Sequence, residues 1–166
     1  MNAHDISELV KNLRKEQSLF STIDIDDILK SFEKENHEYL ENKSFKTIAE
    51  DIFNKLYSMN FIPKNEIPLI CDKLNDYFLI KNINELRKSH YVRFIKKGES
   101  KLYTGGILVN IFSNEEGCFY AKFMIFGKRF INIKMDDHVF FQKLTADEKI
   151  ILLSFDYLEQ FDNNNH

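Results

Sequence analysis

The chain has 166 residues, 43% of them hydrophobic and 30% charged, with a formal net charge of −3. That is enough apolar material for a core and too little charge imbalance for a disordered chain, so it reads as one globular domain or a small domain with an appended subdomain. No apolar run exceeds that of Ile150 to Leu153, which excludes a membrane-spanning helix.

The opening residues Met1 to Asp5 carry neither the basic nor the apolar region of a secretory signal. Cys71 and Cys118 stand alone, with no CxxC spacing. They read as reduced, partly buried thiols of an intracellular, cytoplasmic protein.

The first part, residues 1–87, is expected to be helical. Asp5 can cap a helix with Ile6, Leu9, Val10 and Leu13 on one face. A second helix is expected from near Asp24, with Ile25, Ile28, Leu29, Phe32 and Tyr39 inward. Ser44 is a candidate N-cap for a third, whose stripe is Phe45, Ile48, Ala49, Ile52, Phe53 and Leu56. Pro63 ends the segment that follows, because the residue before a proline avoids the α region. A fourth helix is expected from Asn65 to Phe78, with Pro68 in its first turn. Asn82 to Lys88 reads as a short helix or a connector.

The pattern then changes. All five glycines fall between residues 98 and 127, separated by runs of Val, Ile, Phe and Tyr. This is the pattern of an antiparallel meander. Strands are expected near His90–Lys96, Leu102–Phe112, Cys118–Phe126, Arg129–Met135 and Val139–Lys143. Gly105-Gly106 interrupts the second of these, either as a bulge or sharp bend, which is the favoured reading, or as a tight hairpin. A closing helix is expected over residues 145–161, because Thr145 and Glu148 have capping-box spacing and Ile151, Phe155, Leu158 and Phe161 form a stripe. Ile150, Leu153 and Tyr157 widen that stripe. Residues 162–166 read as a disordered tail. The fold class is therefore α+β: a helical region, a five-stranded antiparallel barrel or meander over 88–144, and a C-terminal helix.

Charge is segregated along this order. Residues 1–87 carry 12 basic and 16 acidic side chains, residues 88–143 carry 10 and 5, and residues 144–166 carry 1 and 5. The positive middle lies between negative ends, which either marks a working surface or helps the parts dock on each other.

Five short strands with a glycine bend in a long second one resemble the SH3-like barrels, including Tudor-like and Sm-like domains, over residues 89–144. That resemblance implies binding of peptides, methylated side chains or nucleic acid, or a purely structural role. The strings His90-Tyr91-Val92-Arg93-Phe94-Ile95, Leu102-Tyr103-Thr104-Gly105-Gly106-Ile107-Leu108 and Phe140-Phe141-Gln142-Lys143-Leu144 are similar to uncharacterised small proteins of large DNA viruses. This second resemblance implies no activity. It implies a virion component or a factor acting on viral nucleic acid.

Two binding readings follow from the residues. The leading one is a non-catalytic binding or assembly module with a protein partner or a second copy. Sixteen phenylalanines exceed what a small core hides, and surplus apolar surface marks interfaces. The alternative is nucleic-acid binding by Tyr91, Arg93, Lys96, Lys97, Lys101, Tyr120, Lys122, Lys128 and Arg129. Exposed rings beside cations stack and neutralise single strands. Tyr91 and Arg93 share one strand face, opposite Val92 and Phe94, and Tyr120 and Lys122 share another. The competing reading makes these rings core and these cations merely solvated.

A small hydrolase or metal-dependent enzyme comes third. Asp136-Asp137-His138 offers metal-ligand atoms, but one turn rarely supplies a full shell. Cys118 and His138 lack an orienting third group. Gly105-Gly106 lacks the Lys-Ser/Thr and helix of a phosphate loop. Asp24 to Asp27 lacks EF-hand spacing. No catalytic residue, metal site or cofactor is assigned, and no membrane partner is expected.

Overall fold

The computed structural model describes residues 38–164. The helices expected from Asp5 and from near Asp24 lie outside the described residues, apart from the end of the second. There, Glu38–Leu40 form a 3-10 turn. The chain divides into two compact units, Met1–Phe45 with Thr145–His166, and Lys46–Leu144.

In the first unit the C-terminal helix, α3, spans Ala146–Asn164. It starts where the capping box places it and continues past Phe161, its expected end, into the segment read as a disordered tail. The Glu148 amide donates to Thr145 Oγ1 at 3.2 Å, and the Thr145 amide donates to Glu148 Oε2 at 2.7 Å. Two otherwise orphaned N–H groups are thereby satisfied. Tyr39 donates its hydroxyl proton to the other Glu148 oxygen, so this buried carboxylate has partners on both sides. Ile151 and Leu152 are buried, whereas Leu153, expected to widen the apolar stripe, is exposed.

The second unit begins with most of helix α1, Phe45–Ser58, which buries Ile48, Ile52 and Leu56. Those three recur at four-residue spacing, the period of a single helix face. Ala49 and Phe53, assigned to the same stripe from sequence, face outward. Helix α2, Ile67–Lys73, carries Pro68 in its first turn and buries Ile67 and Ile70.

Here the expectation of a helix to Phe78 is corrected. The helix ends at Leu74, whose amide closes on the carbonyls of Ile70 and Cys71. Tyr77–Leu79 then form strand β1, with all three side chains buried. A run buried on both faces has no helical period, and its aromatic members favour the pleated state. Ile67, Ile70, Leu74 and Phe78 fit a helix by spacing alone, so tertiary pairing with another strand decides the outcome. A 3-10 turn at Ile83–Glu85 connects onward, with the Glu85 carboxylate accepting from the amides of Lys81 and Asn82.

Five more strands follow: β2 Tyr91–Lys96, β3 Leu102–Ser113, β4 Phe119–Ile125, β5 Arg129–Lys134 and β6 His138–Lys143. All lie close to their predicted positions. The sheet is antiparallel throughout, in the order β1-β6-β2-β3-β4-β5. It has six strands rather than five, and it is open, with β1 and β5 at its edges, so the expected barrel does not close. The added strand comes from the segment read as helix.

One face of the sheet packs a core of Leu86, Val92, Phe94, Leu108, Ala121, Phe123 and Phe140. Phe94 is its centre, with the rings of Tyr103, Phe123 and Phe140 between 5.4 and 6.1 Å away. Gln142 is fully buried. Its side chain accepts from the Arg87 amide at 2.8 Å and donates to the Glu85 carbonyl at 3.4 Å, which ties the connector to β6.

Strand β3 departs twice from regular alternation. Val92 pairs with Gly106 and Phe94 with Tyr103, so two steps along β2 match three along β3. Gly105 sits in this bulge at φ +73, where a Cβ would lie 1.8 Å from the Val92 carbonyl oxygen. At Gly106 a Cβ would lie 2.4 Å from the Met124 carbonyl oxygen. Both neighbours are backbone, so only glycine fits. A second irregularity falls at Val109, because Leu108 pairs with Phe123 and Asn110 with Lys122.

Candidate functional site

The bulges decide which side chains reach the outer face of the sheet. Tyr103 and Ile107 would share a face in a regular strand, because side chains alternate with period two. The extra residue at Gly105 turns Tyr103 onto the core and puts Ile107 opposite Tyr91 on the other face. The irregularity at Val109 then carries Asn110 and Phe112 outward while Ile111 packs against the core.

The outer face of β3–β4–β5 therefore forms rows across the strands. Phe112 is opposite Tyr120, which is opposite Lys134. Asn110 is opposite Lys122, which is opposite Asn132. Ile107 is opposite Met124, which is opposite Phe130. The rings of Phe112 and Tyr120 are stacked, with centroids 5.7 Å apart and planes 16° from parallel. The Lys122 ammonium lies over the Phe130 ring, 5.0 Å from its centroid, held by the negative potential of the ring face. Phe130 is 55% exposed and Phe112 36%. At the β4–β5 turn Gly127 and Lys128 both have positive φ, and Phe126 is 96% exposed.

Electrostatics favour an anion here. Between Glu116 and Asp136 the sequence has no carboxylate, and it has Lys122, Lys128, Arg129 and Lys134. The β4–β5 hairpin is thus purely cationic.

The nine residues singled out from sequence do not form one surface. Tyr91, Tyr120 and Lys122 share the outer face, with both tyrosines half-buried. Arg93 points the same way, but its guanidinium is committed to the carbonyls of Tyr103 and Lys73, at 3.2 and 3.4 Å. Nearby, burial pushes the Tyr77 phenol up, opposed by the charge of Arg93. Lys96, Lys97 and Lys101 gather instead at the β2–β3 turn and are engaged there. Lys96 pairs with Glu99 at 3.2 Å, Lys97 donates to the Asp136 carbonyl, and Lys101 lies 4.7 Å from the Tyr103 ring centre. Lys128 and Arg129 are exposed at the β4–β5 turn.

Phe130 is absent from that sequence-derived set. Its signal is present, because the alternation Ile131, Ile133 against Asn132, Lys134 extends one residue back to an outward Phe130.

Of the enzyme-like features, His138 is engaged in the fold. A cavity of about 340 Å³ is lined in part by Lys97, Phe119, Met135 and His138. His138 Nδ1 lies 2.8 Å from the Lys134 carbonyl. A carbonyl only accepts, so this nitrogen carries the proton. The same ring meets Phe94 edge-on at 5.4 Å. Among the described residues no group of three or more His, Cys, Asp or Glu side chains is arranged to hold a metal ion. Cys71 and Cys118 are both free and half-buried. Burial, then the charge of Asp72, pushes the Cys71 thiol up, away from the thiolate a nucleophile needs. Among the described residues no helix is long and apolar enough to cross a membrane.

Comparison with protein-family models, with curated proteins and with solved structures finds no match in any of the three.

Proposed function

We propose that this chain is a non-catalytic binding module whose contact surface is the outer face of β3–β4–β5, and that its partner is negatively charged. The observation that carries this is the hairpin from Phe119 to Lys134, which has no carboxylate, carries Lys122 and Lys134 on its outer face and Lys128 at its turn, and holds an exposed Phe130 under Lys122. A patch of one sign raises the local concentration of an oppositely charged partner even when the whole chain is slightly acidic. Exposed rings between the cations supply the contact area.

The test is retention on a heparin matrix at low ionic strength, comparing the native chain with a variant carrying Lys122→Glu, Lys128→Glu and Lys134→Glu. The native chain should be retained and elute with salt, and the variant should flow through. Flow-through of the native chain would end this reading.

One observation favours a second reading. The Phe126 side chain, almost fully exposed at the hairpin tip, suits an apolar pocket of a protein partner or of a second copy. Light scattering of the native chain and of Phe126→Ser tests the second-copy form. It requires a dimer in the former that is lost in the latter, and a monomer in both refutes it.

A further inference from the structure

We infer that the charged partner is a single-stranded nucleic acid, bound by stacking of unpaired bases on the outer sheet face; this rests on the binding reading above and names its ligand. Three observations converge. Phe112 and Tyr120 form a parallel stacked pair on adjacent strands, and Phe130 is exposed two rows away across the same face. A base has the planar, polarisable face that such rings bind, and stacking tolerates any sequence.

Next, the cations lie beside and between the rings rather than in a separate patch. Lys122 stands between the Phe112–Tyr120 pair and Phe130, and Lys134 is directly opposite Tyr120. That alternation suits a strand whose bases and phosphates alternate along its length. Lastly, Asn110 and Asn132 flank Lys122 in the middle row and are exposed. Their amides can each donate and accept, as the edges of unpaired bases require.

A duplex fits this surface poorly. Its bases are stacked on each other and offer no free ring face, so the exposed rings would gain nothing from it. An acidic protein segment would use the cations but would meet the rings only where it happened to carry an apolar or aromatic side chain, whereas every nucleotide of a single strand brings a ring face. The same face thus separates the three candidates by whether rings, cations or both contribute.

The experiment is fluorescence anisotropy with labelled oligo-dT and oligo-U, against a duplex of equal length and against heparin as competitor. Single strands should bind more tightly than duplex. The logarithm of affinity should fall with the logarithm of salt concentration with a slope of roughly −1.5 to −3, as for two to four phosphates neutralised. Phe130→Leu and Tyr120→Leu keep apolar bulk and charge but remove the ring faces. Each should weaken single-strand binding about tenfold while leaving heparin retention unchanged, with circular dichroism confirming the fold. Lys122→Gln should weaken both.

If heparin is retained but the ring variants bind single strands as well as the native chain, the nucleic-acid inference falls and an acidic protein partner takes its place. If duplex binds as tightly as single strand, the inference also falls. If heparin is not retained, the inference and the underlying reading fall together.

Discussion

Replacing Gly105 by alanine should be among the most costly single-methyl additions in the protein. Gly105 has φ +73 and lies in the β3 bulge. The added Cβ would sit 1.8 Å from the Val92 carbonyl oxygen and 2.9 Å from Arg93 Cα. Real Cβ contacts do not fall below 3.0 Å, so β2 and β3 must part by more than about 1 Å in a close-packed sheet. A left-handed alanine alone costs about 1–2 kcal/mol. Weakening the ladder hydrogen bonds beside the bulge adds about 1 kcal/mol for each one affected, and loosening Val92 and Phe94 in the core adds to that, for a total of about 3–5 kcal/mol. Gly117 is the internal control. It has φ +77, and a methyl group added there would meet no atom within 4 Å, so Gly117→Ala should cost only the conformational part, about 1–2 kcal/mol. Urea denaturation measures both, provided that the denaturant slope is unchanged. Costs within about 1 kcal/mol of each other would refute the close-approach explanation of the bulge.

Other outcomes follow from the same structure. Gln142→Leu keeps the volume but removes the side-chain acceptor of the Arg87 amide, and it should cost about 1–3 kcal/mol by denaturation; a neutral result would show that water replaces the lost acceptor. Phe123, fully buried, should lose about 3–5 kcal/mol as Phe123→Ala. Phe126→Ala at the exposed tip should stay within about 0.5 kcal/mol, and a large loss there would mean that the tip is packed. The Tyr103 hydroxyl donates to Glu99 at 2.6 Å. This hydrogen bond raises the Tyr103 phenol and, ahead of Lys96, lowers the Glu99 carboxyl. Removing the carboxylate in Glu99→Gln should therefore bring the Tyr103 titration down, followed by ultraviolet absorbance. An unmoved titration would contradict the pairing.

Much of the β segment is legible in the sequence because its local signals agree. Each turn contains a glycine or an acidic pair, and each run between turns is β-branched or aromatic, so β2 to β6 fall close to where the sequence puts them. β1 is not legible. Leu74 and Phe78 continue the spacing of Ile67 and Ile70, and only pairing of Tyr77 with Lys143 and Leu79 with Phe141 shows the segment to be a strand.

The candidate face is half legible for a related reason. On β4, which alternates without interruption, the sequence assigns Tyr120 and Lys122 to one face, and the structure puts them on one face. On β3 the side chains cannot be sorted without knowing the bulges, so the outward turn of Phe112 stays hidden. The cations near residues 96–101 are legible as charges only. Their engagement with Glu99, the Asp136 carbonyl and Tyr103 depends on side-chain geometry that sequence spacing does not encode.

Binding of a single strand to the outer face of β3–β4–β5 is tested most directly by NMR titration of the isotope-labelled protein with oligo-dT, following amide and aromatic resonances. Shifts should concentrate at Phe112, Tyr120, Lys122, Phe130 and Asn132, with little change at Lys96 to Lys101. Shifts concentrated at the β2–β3 turn, or none at any of these positions, would contradict binding at this face.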